Sequence, residues 1–461
     1  MDINDRSTRD AGDGAPKDAD PAALSRRTLI GKGVAAGLGA AALGAAGLTP
    51  ALAASDATRT ATRRRAGTVT IQYAALQDQT GELANEIKRF NQLHSGRIYV
   101  EYQQLPPVAT DQYSKFTTAF QAQSSTPDVV QIDVTWPAQF APLGWLAPLD
   151  GYVKSGYLSQ FWPSAQSVGK VNGKLYGIQR YMDIGLLYYR TDLVRTYNGG
   201  KAPATRDQLV SVARKIVSAE GKNGVKYGYL LPGKKIEAIV DEWLELVWGA
   251  GGNIGNPGSL KLDGATSVAA LQYMYDTIYT TKLAPQGTST YAPNDILALF
   301  QNGQAPFMRN WTFAYALANN PSKSKVAGKV GIAPTLTTSG HSGHGCTGGW
   351  VLGVNAYSSH KDEAWTFIDY MLNKETQTSL SLNAGLISSR PDVVNSSTIR
   401  SKRPEFESLV GILNAGYNRP KLRQYNQFTT PLQAAINGVL SNQSKPSDAL
   451  GGVQSQVASL S

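Results

Sequence analysis

Asp128-Val-Val-Gln-Ile-Asp133 is a short apolar run between two acids, a pattern typical of a buried strand in a parallel sheet. Before it, residues 68–73 and 97–102 show the alternation of strands, and 82–90 and 113–123 are predicted as amphipathic helices. Strand and helix therefore alternate through this part of the chain. The alternation predicts a βαβ sheet, in which ligands bind beyond the carboxyl ends of the strands.

The same alternation returns further along the chain. Strands are predicted over 225–231 and 349–355, and helices over 240–248, 267–281 and 361–373. The chain has 461 residues, more than a single hydrophobic core usually supports. We therefore expect at least two α/β domains.

Acids and large rings lie close together at two places near predicted strand ends. Asp133 precedes Trp136 by three residues, and Tyr181 precedes Asp183 by two. A pyranose offers hydroxyls that carboxylates bind and C–H faces that pack on flat rings, so this combination suits a neutral sugar. The alternative is that the rings belong to the hydrophobic core, because aromatic residues more often have a packing role.

A set of short stretches, in order along the chain, resembles the sugar-binding components of bacterial ABC importers (extracellular solute-binding protein family 1), and among them the trehalose/maltose-binding proteins. The stretches are Pro127-Asp-Val-Val-Gln-Ile-Asp-Val-Thr-Trp136, Gly144-Trp-Leu-Ala-Pro-Leu-Asp150, Gly173-Lys-Leu-Tyr-Gly-Ile178, Tyr181-Met-Asp-Ile-Gly-Leu-Leu-Tyr-Tyr-Arg-Thr-Asp192, Phe300-Gln-Asn-Gly-Gln-Ala-Pro-Phe-Met308, Gly348-Gly-Trp350 and Arg419-Pro420. Each stretch is short, and their order across nearly the whole chain carries the resemblance.

The resemblance implies an α/β, two-lobed periplasmic-binding-protein type II fold that closes on its ligand around a hinge. The N-terminal lobe would comprise 67–182 and 351–390 and the C-terminal lobe 186–350 and 391–461, with crossings near 181–185, 348–351 and 389–392. The implied function is capture of a neutral oligosaccharide, for example trehalose or maltose, by a monomer that is not an enzyme. A membrane permease would receive the sugar, and a separate ATPase would power transport, because the chain has no Gly-x4-Gly-Lys-Ser/Thr loop.

The resemblance also implies a set of binding residues. The expected hydroxyl acceptors are Gln77, Asp78, Asp133, Asp183 and Glu237, the expected rings are Trp136, Tyr181, Trp311 and Trp350, with Gly349 beside the last, and Arg419 is the expected donor. Gln112-Tyr-Ser-Lys115 stands where trehalose/maltose binders present an arginine, so that contact is lost or moved. Two alternative functions stay open: a carbohydrate-active enzyme, and a binder of polyamines or phosphate esters.

The N-terminus has the order of a secretory signal. Arg26-Arg27 precedes an Ala/Gly-rich apolar run that ends near Ala51-Leu-Ala53. This order predicts a twin-arginine signal peptide over 1–53, followed by a flexible linker over 54–66. The mature protein is then expected to be extracytoplasmic. The predicted cleavage site has no nearby cysteine to which a lipid anchor could be attached.

Composition argues against several other classes. The net charge is +10 without a basic stripe interleaved with aromatics, which is a weak pattern for nucleic-acid binding. Cys346 is the single cysteine, so an internal disulfide is excluded. The loop His341-Ser-Gly-His-Gly-Cys346 holds three potential metal ligands without a fourth, and we interpret it as a mobile loop. No cofactor is expected.

Several residues have a structural interpretation beside a functional one. The acids of 236–245 are interpreted as a solvated helix face, and Glu237 has the alternative role of a ligand. Trp243 and Trp248 are predicted core residues. Arg390 is interpreted as a hinge contact rather than a ligand.

Overall fold

The computed structural model of this protein describes residues 67–460. The predicted signal peptide, 1–53, and the predicted linker, 54–66, lie outside the described residues. Within the described part, no helix combines the length and apolar character needed to cross a membrane.

Residues 67–460 form thirteen strands, β1 to β13. In chain order they are Val69–Leu76, Ile98–Leu105, Val129–Asp133, Lys170–Val171, Lys174–Leu175, Ile178–Ile184, Leu186–Arg190, Tyr229–Leu230, Phe307–Asn310, Val330–Ala333, Cys346–Val354, Ile387–Ser388 and Tyr417–Asn418.

The same residues form seventeen α-helices, α1 to α17. In chain order they are Glu82–Leu93, Ala109–Gln121, Pro137–Phe140, Pro163–Ser167, Thr191–Asn198, Arg206–Glu220, Glu237–Trp248, Ala265–Tyr279, Pro293–Gln301, Phe313–Ala318, Lys361–Leu372, Lys374–Ala384, Pro391–Val394, Ser397–Lys402, Glu405–Asn414, Tyr425–Leu440 and Pro446–Val457.

The first sheet confirms the predicted βαβ beginning. Its order is β12-β6-β11-β3-β1-β2, with β13 paired to β11. Strands β1, β2 and β3 are parallel, and α1 buries Leu83, Ile87 and Phe90, a spacing that lines one helical face. Strand β11 is antiparallel to β3 and β6 and parallel to β13, and β12 is antiparallel to β6, so the sheet is mixed. Asp133 is the last residue of β3, so it lies at the carboxyl end of the strand, as predicted from the sequence.

The second sheet has four strands in the order β10-β7-β9-β8. Only β8 and β9 are parallel. The strand predicted over 225–231 is limited to Tyr229–Leu230. The backbone N–H groups of Lys226 and Tyr227 both donate to the carbonyl of Gln304 instead of forming a ladder, so the strand begins only at Tyr229.

The chain changes sheet at Gly185, between β6 and β7. It returns to the first sheet between Ala333 and Cys346, and the later strands β12 and β13 both belong to that sheet. The first change falls at the expected crossing near 181–185, and the second comes before 348–351, whereas the strand pairing shows no change of sheet near 389–392. The exact lobe boundaries stay a prediction.

Gly185 is required by its surroundings. A Cβ at this position would lie 1.7 Å from Glu245 Oε1 and 2.5 Å from Arg309 Nη2. Both side chains are buried and joined in an ion pair, so neither has room to withdraw. The absence of a side chain at Gly185 therefore lets a buried ion pair pack against the point where the chain changes sheet.

We expect Gly185→Ala to lower the free energy of unfolding by at least about 2 kcal/mol, because the methyl group overpacks this contact. Urea unfolding measures the effect. Gly411→Ala is the matched control, since Gly411 lies in α15 and a Cβ added there would meet no other atom within 4 Å, and this change should be neutral or stabilising. Equal stability of the two variants would contradict the role of Gly185.

Candidate functional site

A cavity of about 350 Å³ lies among the ends of β3, β6 and β11, the start of α7 and the segment after β9. Ten of the eleven predicted binding residues line it: Gln77, Asp78, Asp133, Tyr181, Asp183, Glu237, Trp311, Gly349, Trp350 and Arg419. These residues come from segments far apart in the sequence. The fold thus brings almost the whole predicted set together.

Trp136 is the member that lies outside this cavity. It is buried and packs in a cluster of rings, with centroids 5.5 Å from Tyr113 and 5.8 Å from Phe140. Its ring centroid also lies 6.1 Å from that of Trp350, and the two ring planes are at 90° to each other. The core interpretation is therefore correct for Trp136, which supports Trp350 from behind.

Arg419 is the centre of a buried ionic network. Its Nη2 donates to both carboxylate oxygens of Asp133 at 2.9 Å, and its Nη1 donates to Glu237 at 3.1 Å. Its Nε lies 3.6 Å from Asp241. The Arg419 side chain is only 3% exposed. The expected donor to sugar oxygens is thus engaged with protein carboxylates in this structure.

The two predicted acceptors beside Arg419 are also engaged. Asp133 accepts from the N–H and the hydroxyl of Thr135 at 2.9 and 2.8 Å. Glu237 accepts from the hydroxyls of Tyr425 and Thr429 and from the amide of Gln433. In this structure their carboxylates shape the cavity wall, and their predicted contact with a sugar stays a prediction.

Helix α7 carries the acids of 236–245, and the prediction of a solvated face is wrong for three of them. Asp241, Glu242 and Glu245 are each at most 2% exposed. Glu245 pairs with Arg309 through two hydrogen bonds, and Glu242 lies 3.4 Å from the same guanidinium. Buried carboxylates need such partners. Trp243 and Trp248 on the same helix are buried, as predicted.

Burial raises the pKa of two of these acids. The pKa of Asp241 rises to about 8, because the cost of burying its charge outweighs the attraction of Arg419. The pKa of Glu242 rises to about 7 for the same reason, with Arg309 opposing the rise. Burial thus favours the neutral form of Asp241, whereas Asp133 and Glu237 bind Arg419 through direct hydrogen bonds.

Asp183 occupies the end of β6 on the cavity wall. Its Oδ1 accepts from the N–H of Ile184 and from the N–H and hydroxyl of Thr312. Among the described residues no donor reaches its Oδ2. Burial raises the pKa of Asp183 to about 6, with these hydrogen bonds opposing the rise. Asp183 therefore has one oxygen fixed by the protein and one left for a ligand.

Two tryptophans are partly exposed on the cavity wall. Trp311 has the guanidinium of Arg309 over its ring at 4.3 Å from the centroid. A Cβ at Gly348 would come within 3.0 Å of the Trp311 ring, so glycine leaves room for it against β11. Trp350 lies on β11 itself, opposite Tyr181 on β6. Rings so placed form surfaces on which sugar faces can stack.

Gln77 and Asp78 lie in the loop after β1. Asp78 accepts from the N–H and hydroxyl of Thr80 and from the N–H of Leu83, so it orders the start of α1. Gln77 is exposed and forms no hydrogen bond with the described residues. Gln77 is thus the more available of the two.

The cavity wall contains residues that the sequence did not single out as ligands. They include Gln131, Arg180, Lys234, Asn294, Asp295 and Phe313. Arg180 adjoins Tyr181 in sequence, and this proximity was the one signal that could have drawn attention to it. Gln112 is fully buried and donates to the carbonyl of Pro106, so it is absent from the wall.

The remaining candidates lie away from the cavity. Cys346 begins β11 rather than belonging to a loop; it is buried, with Sγ 3.4 Å from Asp241. His344 stacks on Tyr417 at 4.0 Å. Within 67–460, no group of three or more His, Cys, Asp or Glu side chains could hold a metal ion. Arg390 is buried beside Asp392, two residues after the end of β12.

Two sheets that meet around a cavity of acids and rings form a site suited to binding a small polar solute. Residues 73–378 match the bacterial extracellular solute-binding proteins, and the chain belongs to this family. It is the solute-binding component of an ABC importer, located outside the cytoplasm. Members of this family are binders and not enzymes, and they deliver their solutes to membrane permease and ATPase components.

Individual proteins support the assignment. A probable ABC transporter-binding protein of Deinococcus radiodurans is 29% identical over 420 residues, covering 89% of this chain and 96% of the relative. The maltose-bound MalE3 of T. maritima has a TM-score of 0.81 and 33% identity, covering 85% of this chain and 99% of its own. A ribitol complex from Agrobacterium radiobacter K84 has a TM-score of 0.76 and 25% identity, covering 85% and 98%. These matches confirm the two-lobed fold.

We expect the stability of the protein to fall as pH rises from about 4 to 6, in part because of Asp183. The pKa of a free aspartate is about 3.9, so in this window the folded protein binds more protons than the unfolded chain. Asp183→Asn keeps the Oδ1 acceptor and removes the titration. Across this window the free energy of unfolding should fall less in the variant than in the wild type, and the difference should be up to about 3 kcal/mol.

Urea unfolding at pH 4, 5, 6 and 7 measures this difference. The other buried acids titrate equally in both proteins, so the difference isolates Asp183. Parallel pH profiles for the two proteins would show that Asp183 is not protonated in this range.

Proposed function

We propose that the protein captures a neutral oligosaccharide, with a disaccharide such as trehalose or maltose as the expected size, and delivers it to its permease as a monomer. The observation that carries the proposal is the placement of Trp311, Trp350 and Asp183 on the wall of one cavity of about 350 Å³. This volume lies in the range of about 300–1,000 Å³ that is usual for small-molecule sites.

The charges of the wall favour a neutral ligand over a polyamine. A polyamine site needs carboxylates that are free to face ammonium groups, whereas Asp133 and Glu237 are already paired with Arg419. Asp183 accepts from the protein only on Oδ1, which leaves its other oxygen to accept from a sugar hydroxyl. The maltose and ribitol complexes of the similar structures agree with a polyhydroxylated ligand.

We further propose capture by lobe closure. A sugar that contacts residues from both sheets binds the closed arrangement more tightly than the open one and so shifts the population toward it. Gly185 and the segment 389–392 are the proposed hinge positions, with the lobe boundaries given above. The permease would then recognise the closed form.

Trp311→Ala should weaken saccharide binding by at least about thirtyfold while leaving the fold intact, because it removes a stacking surface from a buried site. Isothermal titration calorimetry with trehalose, maltose and maltotriose measures the change. Trp365→Ala is the control: Trp365 is partly buried against Tyr152 and Tyr157 and does not line the cavity.

The same titrations should include a polyamine and a sugar phosphate. Binding of a neutral saccharide by the wild type and by Trp365→Ala, with loss in Trp311→Ala, supports the proposal. Tight binding of the polyamine or the sugar phosphate without saccharide binding would replace it with one of the other solute classes.

We propose export by the twin-arginine route, on the basis of Arg26-Arg27 before the apolar run. Replacing both arginines with lysine should keep the protein in the cytoplasm, as measured by cell fractionation. Undiminished export of this variant would point to the general secretory route.

A further inference from the structure

Arg180 is a buried cation on the cavity wall that lacks a carboxylate partner. Its exposure is 3%, and it lines the cavity beside Tyr181. Within the described part of the chain, no Asp or Glu oxygen lies within 4.0 Å of its guanidinium, in contrast to Arg309 and Arg419. Buried charges are normally paired, because removing an ion from water costs several kcal/mol. Arg180 is therefore an exception to be explained.

The backbone directs this side chain to the cavity through a β-bulge. In the pairing of β6 with β11, Tyr181 lies opposite Trp350 and Gln179 lies opposite Val351, so Arg180 has no partner on β11. Successive residues of a regular strand point to opposite faces. The extra residue breaks this alternation, so that Arg180 and Tyr181, although adjacent, both line the cavity.

The guanidinium is held in place on one side and left unsatisfied on the other. Its Nη1 donates to Gln131 Oε1, which also accepts from the hydroxyl of Tyr73 at 2.8 Å. The guanidinium lies over the Tyr181 ring, at 5.3 Å from its centroid. Its Nε is buried without a partner, and its Nη2 donates to no described residue. The side chain is thus fixed with free donors.

We propose that Arg180 is a ligand-binding residue that donates a hydrogen bond to an acceptor oxygen of the bound saccharide, and so helps to select the ligand. This inference rests on the proposed function. A guanidinium is a donor only, so the oxygen that it binds supplies a lone pair, as a ring, bridging or hydroxyl oxygen does. Asp183, three residues further along β6, accepts. The same strand therefore offers the sugar one donor and one acceptor.

Arg206 provides a matched control. It is buried, its Nε has no partner, and its guanidinium lies 5.3 Å from the centroid of a tyrosine ring, that of Tyr273. It has no carboxylate partner within 4.0 Å among the described residues either. Its Nη2 donates to the carbonyl of Leu246, and it does not line the cavity. Arg206 thus has surroundings similar to those of Arg180 but does not lie on the cavity wall.

The test compares Arg180→Met and Arg206→Met by calorimetry, with the saccharide that the wild type binds. Arg180→Met should lose at least about tenfold in affinity, the effect of one hydrogen bond to a charged group, whereas Arg206→Met should stay within about twofold of the wild type. The melting temperature of the free protein should fall no more in Arg180→Met than in Arg206→Met.

Monodeoxy analogues of the same saccharide locate the contact. At one position, removal of the hydroxyl or replacement of the oxygen should weaken wild-type binding and leave the affinity of Arg180→Met unchanged, because the two changes remove the same interaction. Additive losses at every oxygen position would overturn the inference, as would wild-type affinity in Arg180→Met. In both cases the proposed function stands. Failure of the wild type to bind any saccharide would instead overturn the proposed function and this inference with it.

Discussion

The buried guanidinium of Arg419 holds together three parts of the chain that meet at the cavity. It binds Asp133 at the end of β3, which is 286 residues away in sequence, and Glu237 at the start of α7, which is 182 residues away. Asp241 completes the set. If this cation were removed, buried carboxylates would be left without a partner, a change that typically costs about 3–5 kcal/mol. Arg419 thus joins the first sheet and helix α7 to the C-terminal part of the chain beside the cavity.

Helix α7 connects the ionic network of Arg419 to Trp311 on the cavity wall. The helix presents Asp241 to Arg419 and, from neighbouring positions, Glu242 and Glu245 to Arg309. Arg309 in turn lies over Trp311. The same ion pair packs against Gly185, where the chain changes sheet. The Arg309–Glu245 ion pair therefore contacts both Trp311, the proposed stacking ring, and Gly185, a proposed hinge position.

Local patterns in the sequence predicted the helices and strands, and the resemblance predicted ten of the residues that line the cavity. The alternation of 68–133 predicted three parallel strands, because a period of two or 3.6 residues is a property of each segment alone. The buried acids of α7 were misjudged as a solvated face, since their partner arginines come from distant strands and loops. Arg180 was missed because only a bulge, formed by pairing with β11, brings it to the cavity.

The charged residues of the wall differ in how many hydrogen-bonding atoms are free to bind a ligand. Composition alone does not reveal this difference. The carboxylates of Asp133 and Glu237 are engaged by protein donors, whereas Asp183 keeps one free oxygen and Arg180 keeps free donors.

The most direct test of this account is a crystal structure with the bound saccharide. It should show a sugar ring against Trp311 and a hydroxyl on Asp183 Oδ2. A saccharide bound elsewhere, or one that avoids both residues, would contradict the account.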